Sequence, residues 1–154
     1  MTTTAALPPD LQRLRSWMTF STALYAVSGL GFAAAPGLTL EGIGILTRLV
    51  GLADTPPSTE RFWLTLSISM MLMLVLCCGM VARDVARNLD FCIPVFCSKF
   101  CSTLLGALYF AGFERHGALL AIGWSDLPLG IVTLVLWRRA RAVTGTASTA
   151  RTAP

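Results

Sequence analysis

The chain has 154 residues, 55% hydrophobic and 13% charged, with a formal net charge of +4 and a mean hydropathy of +0.68. An ordinary soluble domain is about 45–50% apolar and about 25% charged. The composition excludes a disordered chain, and the length argues against an anchor joined to a separate soluble enzyme. What remains is a small, all-α integral membrane protein of one domain.

Residues 1–13 read as a disordered N-terminus, rich in Thr, Ala and Pro. A spanning helix needs about 20 mostly apolar residues, and the first such run is 16–35, which carries no charge. Arg13 and Arg15 ahead of it, with Ala33-Ala34-Ala35 at its end, also resemble a signal peptide. Pro36 behind the cleavage point and the length of the run favour a retained helix. Ser21, Tyr25 and Ser28 place hydroxyls on one face of it.

The connection from Pro36 to Arg61 is longer than a usual bundle linker. Leu40, Ile43, Thr47 and Val50 fall near one helical face, away from Glu41 and Arg48. This predicts a short amphipathic helix on the outer membrane surface, capped by Thr39; a disordered loop is the alternative. Residues 54–59 read as a stiff turn with Ser58 or Thr59 as cap. The second span, 62–82, is uncharged and pairs Thr65 with Ser69. Leu66 to Met80 is apolar on nearly every face, against the alternation of a barrel strand.

The short loop 83–90 makes spans two and three neighbours. Span three, 91–113, holds one charge, Lys99, with Ser102, Thr103 and Gly106 near its face. The turn Glu114-Arg115-His116 forces a hairpin into span four, 117–137, whose one charge is Asp126. Asp126 shares a face with Gly130 and Thr133. A mid-span charge costs at least about 2.5–3.5 kcal/mol, so it marks pairing, hydration or function. Lys99 and Asp126 differ in level by roughly 5 Å. Each side chain leans toward its own helix N-terminus, so a water or hydroxyl bridge is as good an expectation as direct contact. Tyr25, Ser69, Ser102 and Thr103 complete the candidate intramembrane polar set. For the hydroxyls alone, plain close packing explains the pattern better.

The membrane domain is thus 14–141, and 142–154 reads as a disordered tail. Eight arginines fall on the side of the termini and the 83–90 loop, and three (Arg48, Arg61 and Arg115) on the other. The excess predicts a plasma-membrane protein with both termini cytoplasmic. Trp17, Trp63 and Trp137 stand at span ends as interfacial anchors. A basic rim against anionic lipid explains the pI near 9.1, with no nucleic-acid partner.

Five cysteines, Cys77, Cys78, Cys92, Cys97 and Cys101, lack zinc spacing. Cys77 or Cys78 approaching Cys97 would make a redox pair, with Cys101 a further redox candidate; small buried residues are the plainer reading. One histidine, His116, cannot build a haem pair or a multi-histidine metal site, so no cofactor is expected. Nucleotide and hydrolase motifs are absent from the sequence.

Four spans, a long first connection after Pro36 and short later loops resemble the layout of DoxX-like small bacterial membrane proteins. The resemblance covers most of residues 14–140. It implies a four-helix membrane fold and, for some members, an association with quinone-linked sulfur oxidation; no site residue is carried over. Three functions follow as expectations. The first is a non-catalytic accessory or subunit-type protein with a membrane-protein partner or a second copy of itself. The second is a small carrier or proton relay using Tyr25, Lys99 and Asp126. The third is a quinone- or thiol-linked redox partner using Cys77, Cys97 or Cys101.

Overall fold

The computed structural model describes residues 7–49, 51, 61–112 and 117–151. The described residues are helical, with no strand among them. The elements are α1 (Pro9–Ala34), α2 (Pro36–Leu49), α3 (Arg61–Arg83), a 3₁₀ turn (Leu89–Phe91), α4 (Cys92–Gly112) and α5 (Gly117–Arg151).

Four helices close a ring in which α1 packs on α3, α3 on α4, α4 on α5 and α5 back on α1. Named contacts fix the directions. Arg15 Nε donates to the Ala82 carbonyl at 3.0 Å, and Gly29 lies against Met71, so α1 and α3 are antiparallel. Gly130 lies against Lys99 and Gly123 against Thr103, so α4 and α5 are antiparallel too. The result is an up-down-up-down bundle in which the first connection, from α1 to α3, is long and contains α2. The start of α1, the loop after α3 and the last third of α5 share one end. Arg13, Arg15, Arg83, Arg87, Arg138, Arg139 and Arg141 therefore gather there.

The core lies nearer that end. Leu11, Leu14 and Met18 of α1 meet Leu74, Cys78 and Val81 of α3, Cys92 and Val95 of α4, and Ala140 of α5. The outside is unusually apolar: Val27, Leu30, Leu72, Leu76, Leu104 and Leu108 are exposed. Two helical stretches, Leu64–Arg83 and Leu89–Gly112, are long and apolar enough to cross a membrane. A third is reached if α1 and α2, bent by 115°, count as one broken span. Four separate spans are thus not reproduced by length and apolarity among the described residues.

Several boundaries differ from the sequence reading. Helix α1 starts at Pro9, so 9–13 are helical and not disordered. Pro9 is pre-set for the first turn, Asp10 complements the helix N-terminus, and Leu11 is buried in the core. Helix α2 starts at Pro36, again a favoured first residue. Thr39 is therefore interior and not a cap; its hydroxyl donates to the Ala35 carbonyl at 3.0 Å. The described part of the predicted face holds, with Thr47 buried, Leu40 and Ile43 half-buried, and Glu41 and Arg48 exposed; Val50 lies outside the described residues. That face packs on α1 and α5, so α2 folds across the far end of the bundle. Gly51, at φ 73°, follows it in the left-handed conformation that ends helices. Helix α5 continues to Arg151, where a disordered tail is predicted from 142. No proline interrupts 142–151, and Thr144 folds its hydroxyl back on the Ala140 and Arg141 carbonyls. The predicted turns at 54–59 and 114–116 lie outside the described residues, as do residues 1–6 and 152–154.

Candidate functional site

The polar centre is built between α4 and α5. Lys99 is 4% exposed, among the few buried polar residues of the bundle. Gly130 makes this possible: a Cβ there would stand 3.2 Å from Lys99 Cβ and 3.3 Å from the Phe100 ring. The lysine stem therefore lies against the α5 backbone. Asp126 stands one turn away along α5, about 6 Å, and the lysine reaches it directly. Nζ donates to Asp126 Oδ1 at 2.8 Å, with the two side chains 5% and 14% exposed. The helical lean that argued for a bridging water is overcome by the length of the lysine stem.

The second carboxylate oxygen, Oδ2, meets the Ser102 hydroxyl. Ser102 also lies within bonding distance of the Lys99 carbonyl, at 3.0 Å, and Thr103 donates to that same carbonyl at 2.8 Å. From the side of α1, Tyr25 presents its ring to the ammonium, with Nζ 4.7 Å from the centroid. Tyr25 is itself buried. Three helices thus surround one charge pair: a carboxylate bond and a π face for the ammonium, an ammonium and a hydroxyl for the carboxylate.

Of the predicted polar residues, Lys99, Asp126, Tyr25 and Ser102 come together, with Thr103 one bond removed. Ser69 does not join them. It is exposed on α3, and its hydroxyl donates to the Leu66 carbonyl of its own helix at 2.9 Å. The cysteines separate into two groups. Cys77, Cys78 and Cys92 are buried in the core, whereas Cys97 and Cys101 are exposed on α4. The outward pair is one turn apart on one helix, where disulfide geometry is poor. All five are free thiols. Among the described residues no group of three or more His, Cys, Asp or Glu side chains is arranged to hold a metal ion.

One contact escaped the sequence reading. Trp17, read as an anchor, donates its indole N–H to Thr133 Oγ1 at 2.9 Å, tying α1 to α5. Thr133 in turn donates to the Leu129 carbonyl at 2.7 Å. The signal was present: Trp17, Ser21 and Tyr25 follow one another at four-residue spacing. Trp137 packs on Phe96 and under Arg141, and its buried indole nitrogen has no partner among the described residues. The side chain of Trp63 lies outside what is described.

No family model, curated protein or solved structure matches this chain.

Proposed function

We propose that the protein is a small multi-pass membrane protein whose spans are α1, α3, α4 and α5, with both termini cytoplasmic. In this reading it serves as a non-catalytic accessory or subunit-type component of the plasma membrane. One observation carries it: the charge pair is enclosed between helices while leucines face outward on α3 and α4. In water, so much exposed apolar surface would drive association. In lipid it is the solvent-facing side, and the polar groups are where a bundle holds them. The gathering of arginines at the end that carries the termini supports a cytoplasmic placement of that end. The layout shared with DoxX-like proteins agrees with this reading and adds no residue-level role to it.

The pair supports an architectural role because both partners are already occupied. The ammonium is held by a carboxylate and an aromatic face, and the carboxylate by an ammonium and a hydroxyl. A second reading, a small carrier or proton relay, is favoured by the continuity of Tyr25, Lys99, Asp126 and Ser102 across three helices. The quinone- or thiol-linked reading is weakened by the outward turn of Cys97 and Cys101, away from buried Cys77.

Reconstitution of the purified protein in vesicles with an internal pH dye separates the first two. The accessory reading expects no pH-driven flux above empty vesicles, and pull-down from native membranes to recover a membrane-protein partner or a second copy. Flux abolished by Asp126→Asn would replace it with the relay.

A further inference from the structure

At the arginine-rich end, an open groove of about 700 Å³ lies between α1 and α5. Its wall on α1 is Gln12, Arg13, Ser16, Trp17 and Phe20, and on α5 it is Leu136. The chemistry changes along its length. Gln12, Arg13 and Ser16 lie toward the end of the bundle; Trp17, Phe20 and Leu136 lie toward the middle. Arg13 to Phe20 is two helical turns, about 10 Å. Arg139 does not line the groove but borders it, one turn beyond Leu136 on α5 toward the end of the bundle, and it is exposed.

The apolar wall is held in place. Trp17 is bonded to Thr133 across the helix pair, and its ring lies 5.6 Å from that of Phe20. The cationic rim remains open to a ligand. Arg13 faces Asp10 at 3.8 Å with its own side chain 65% exposed, and so exposed a pair is weak. Guanidinium groups match phosphate oxygens two at a time.

From this the geometry points to a binding site for a single anionic phospholipid, its phosphate between Arg13 and Arg139 and its acyl chain along Trp17, Phe20 and Leu136. A zwitterionic lipid leaves the two positive charges uncompensated. A free anion uses the rim and leaves the aromatic wall empty. The inference rests on the membrane reading above, since it needs the groove at headgroup level.

The test uses the full chain in mild detergent. Recovery of the protein only from the membrane fraction is checked first; failure there would sink the membrane reading, whatever the lipid result. Binding is then followed by native mass spectrometry with phosphatidylglycerol, phosphatidylcholine and inorganic phosphate. Each headgroup-level arginine contributes about 1 kcal/mol, about fivefold in affinity. The parent should prefer phosphatidylglycerol over phosphatidylcholine. Arg13→Gln and Arg139→Gln should each cut that preference about fivefold, and both substituted residues are exposed. Arg87→Gln removes an equal charge from the same end but outside the groove, and should leave the preference intact. Phe20→Ala should weaken both lipids while leaving their ratio unchanged. An equal loss of preference in Arg87→Gln would show diffuse attraction to a basic rim and overturn the site. Inorganic phosphate binding as tightly as the lipid would overturn the lipid assignment.

Discussion

Lys99 and Gly130 are in contact across the α4–α5 interface: a side-chain carbon at position 130 would sit 3.2 Å from Lys99 Cβ. The ion pair depends on that missing carbon, because Cβ of Lys99 is fixed to the α4 backbone and cannot turn aside. Gly130→Val should therefore separate the helices and cost about 1–3 kcal/mol by overpacking. Gly42, on α2, has nothing within 4 Å of its own missing Cβ. Gly42→Ala should be neutral or stabilise by up to about 1 kcal/mol through helix propensity. Thermal unfolding in one detergent compares the two; equal losses would show that Gly130 has no special place.

Asp126→Asn strands the Lys99 ammonium, and Lys99→Met strands the carboxylate. Breaking a buried pair costs about 3–5 kcal/mol. The double substitution removes both liabilities and should lose less than the sum of the singles, with a coupling of about 0.5–3 kcal/mol. Additive losses would mean that the two charges are held independently.

The two core-end tryptophans make a matched comparison. Trp17→Phe loses the bond to Thr133 and should cost about 0.5–1.5 kcal/mol beyond the change in packing. Trp137→Phe removes an indole N–H that has no partner among the described residues. It relieves an unmet donor, and should cost less than Trp17→Phe. The reverse order in unfolding midpoints would contradict the contacts described for both.

Thiol labelling should divide the cysteines. In detergent, N-ethylmaleimide should modify Cys97 and Cys101 in the folded protein, and reach Cys77, Cys78 and Cys92 only after denaturation. Peptide mass spectrometry reads the sites directly. Early labelling of Cys78, which is fully buried, would mean that α3 does not pack as described.

Reporter fusions at Pro154 and at Asp54 test the orientation. The arginine excess expects a cytoplasmic signal from the first and a periplasmic signal from the second. A periplasmic C-terminal fusion would reverse or discard the proposed topology.

Loop length was enough to anticipate that α3 neighbours α4 and α4 neighbours α5, and so to put Lys99 and Asp126 on adjacent helices; the packing of α1 on α3 and α5 was not legible in it. Nor could it settle direct contact. That depends on how closely the helices approach, and the approach is set at Gly130, whose role is a missing atom. The inward side of Trp17 was hidden because an aromatic residue at a span end fits an interfacial anchor equally well. Ser69 misled for a related reason. A serine that bonds to its own helix backbone can face outward, and spacing does not reveal that it does. The cysteines needed the rotation of α4 about its axis, which an almost wholly apolar helix does not encode in its hydrophobic pattern. The helical stretches at 9–13 and 142–151 replaced predicted disorder because composition says little about a segment that continues an existing helix.

The corner at Ala35 has a mechanical consequence. A single non-helical residue, at φ −144° and ψ 63°, joins α1 to α2. Both sides of it are pinned: its N–H donates to the Gly31 carbonyl at 2.9 Å, and its carbonyl accepts the Thr39 N–H at 3.1 Å. So short and braced a joint has little slack. Helix α2, 14 residues and about 21 Å long, is therefore a crank arm set across the axle of α1. The same α1 carries Tyr25, whose ring lies over the Lys99 ammonium, so the corner braces the helix that brings the aromatic face to the central charge pair.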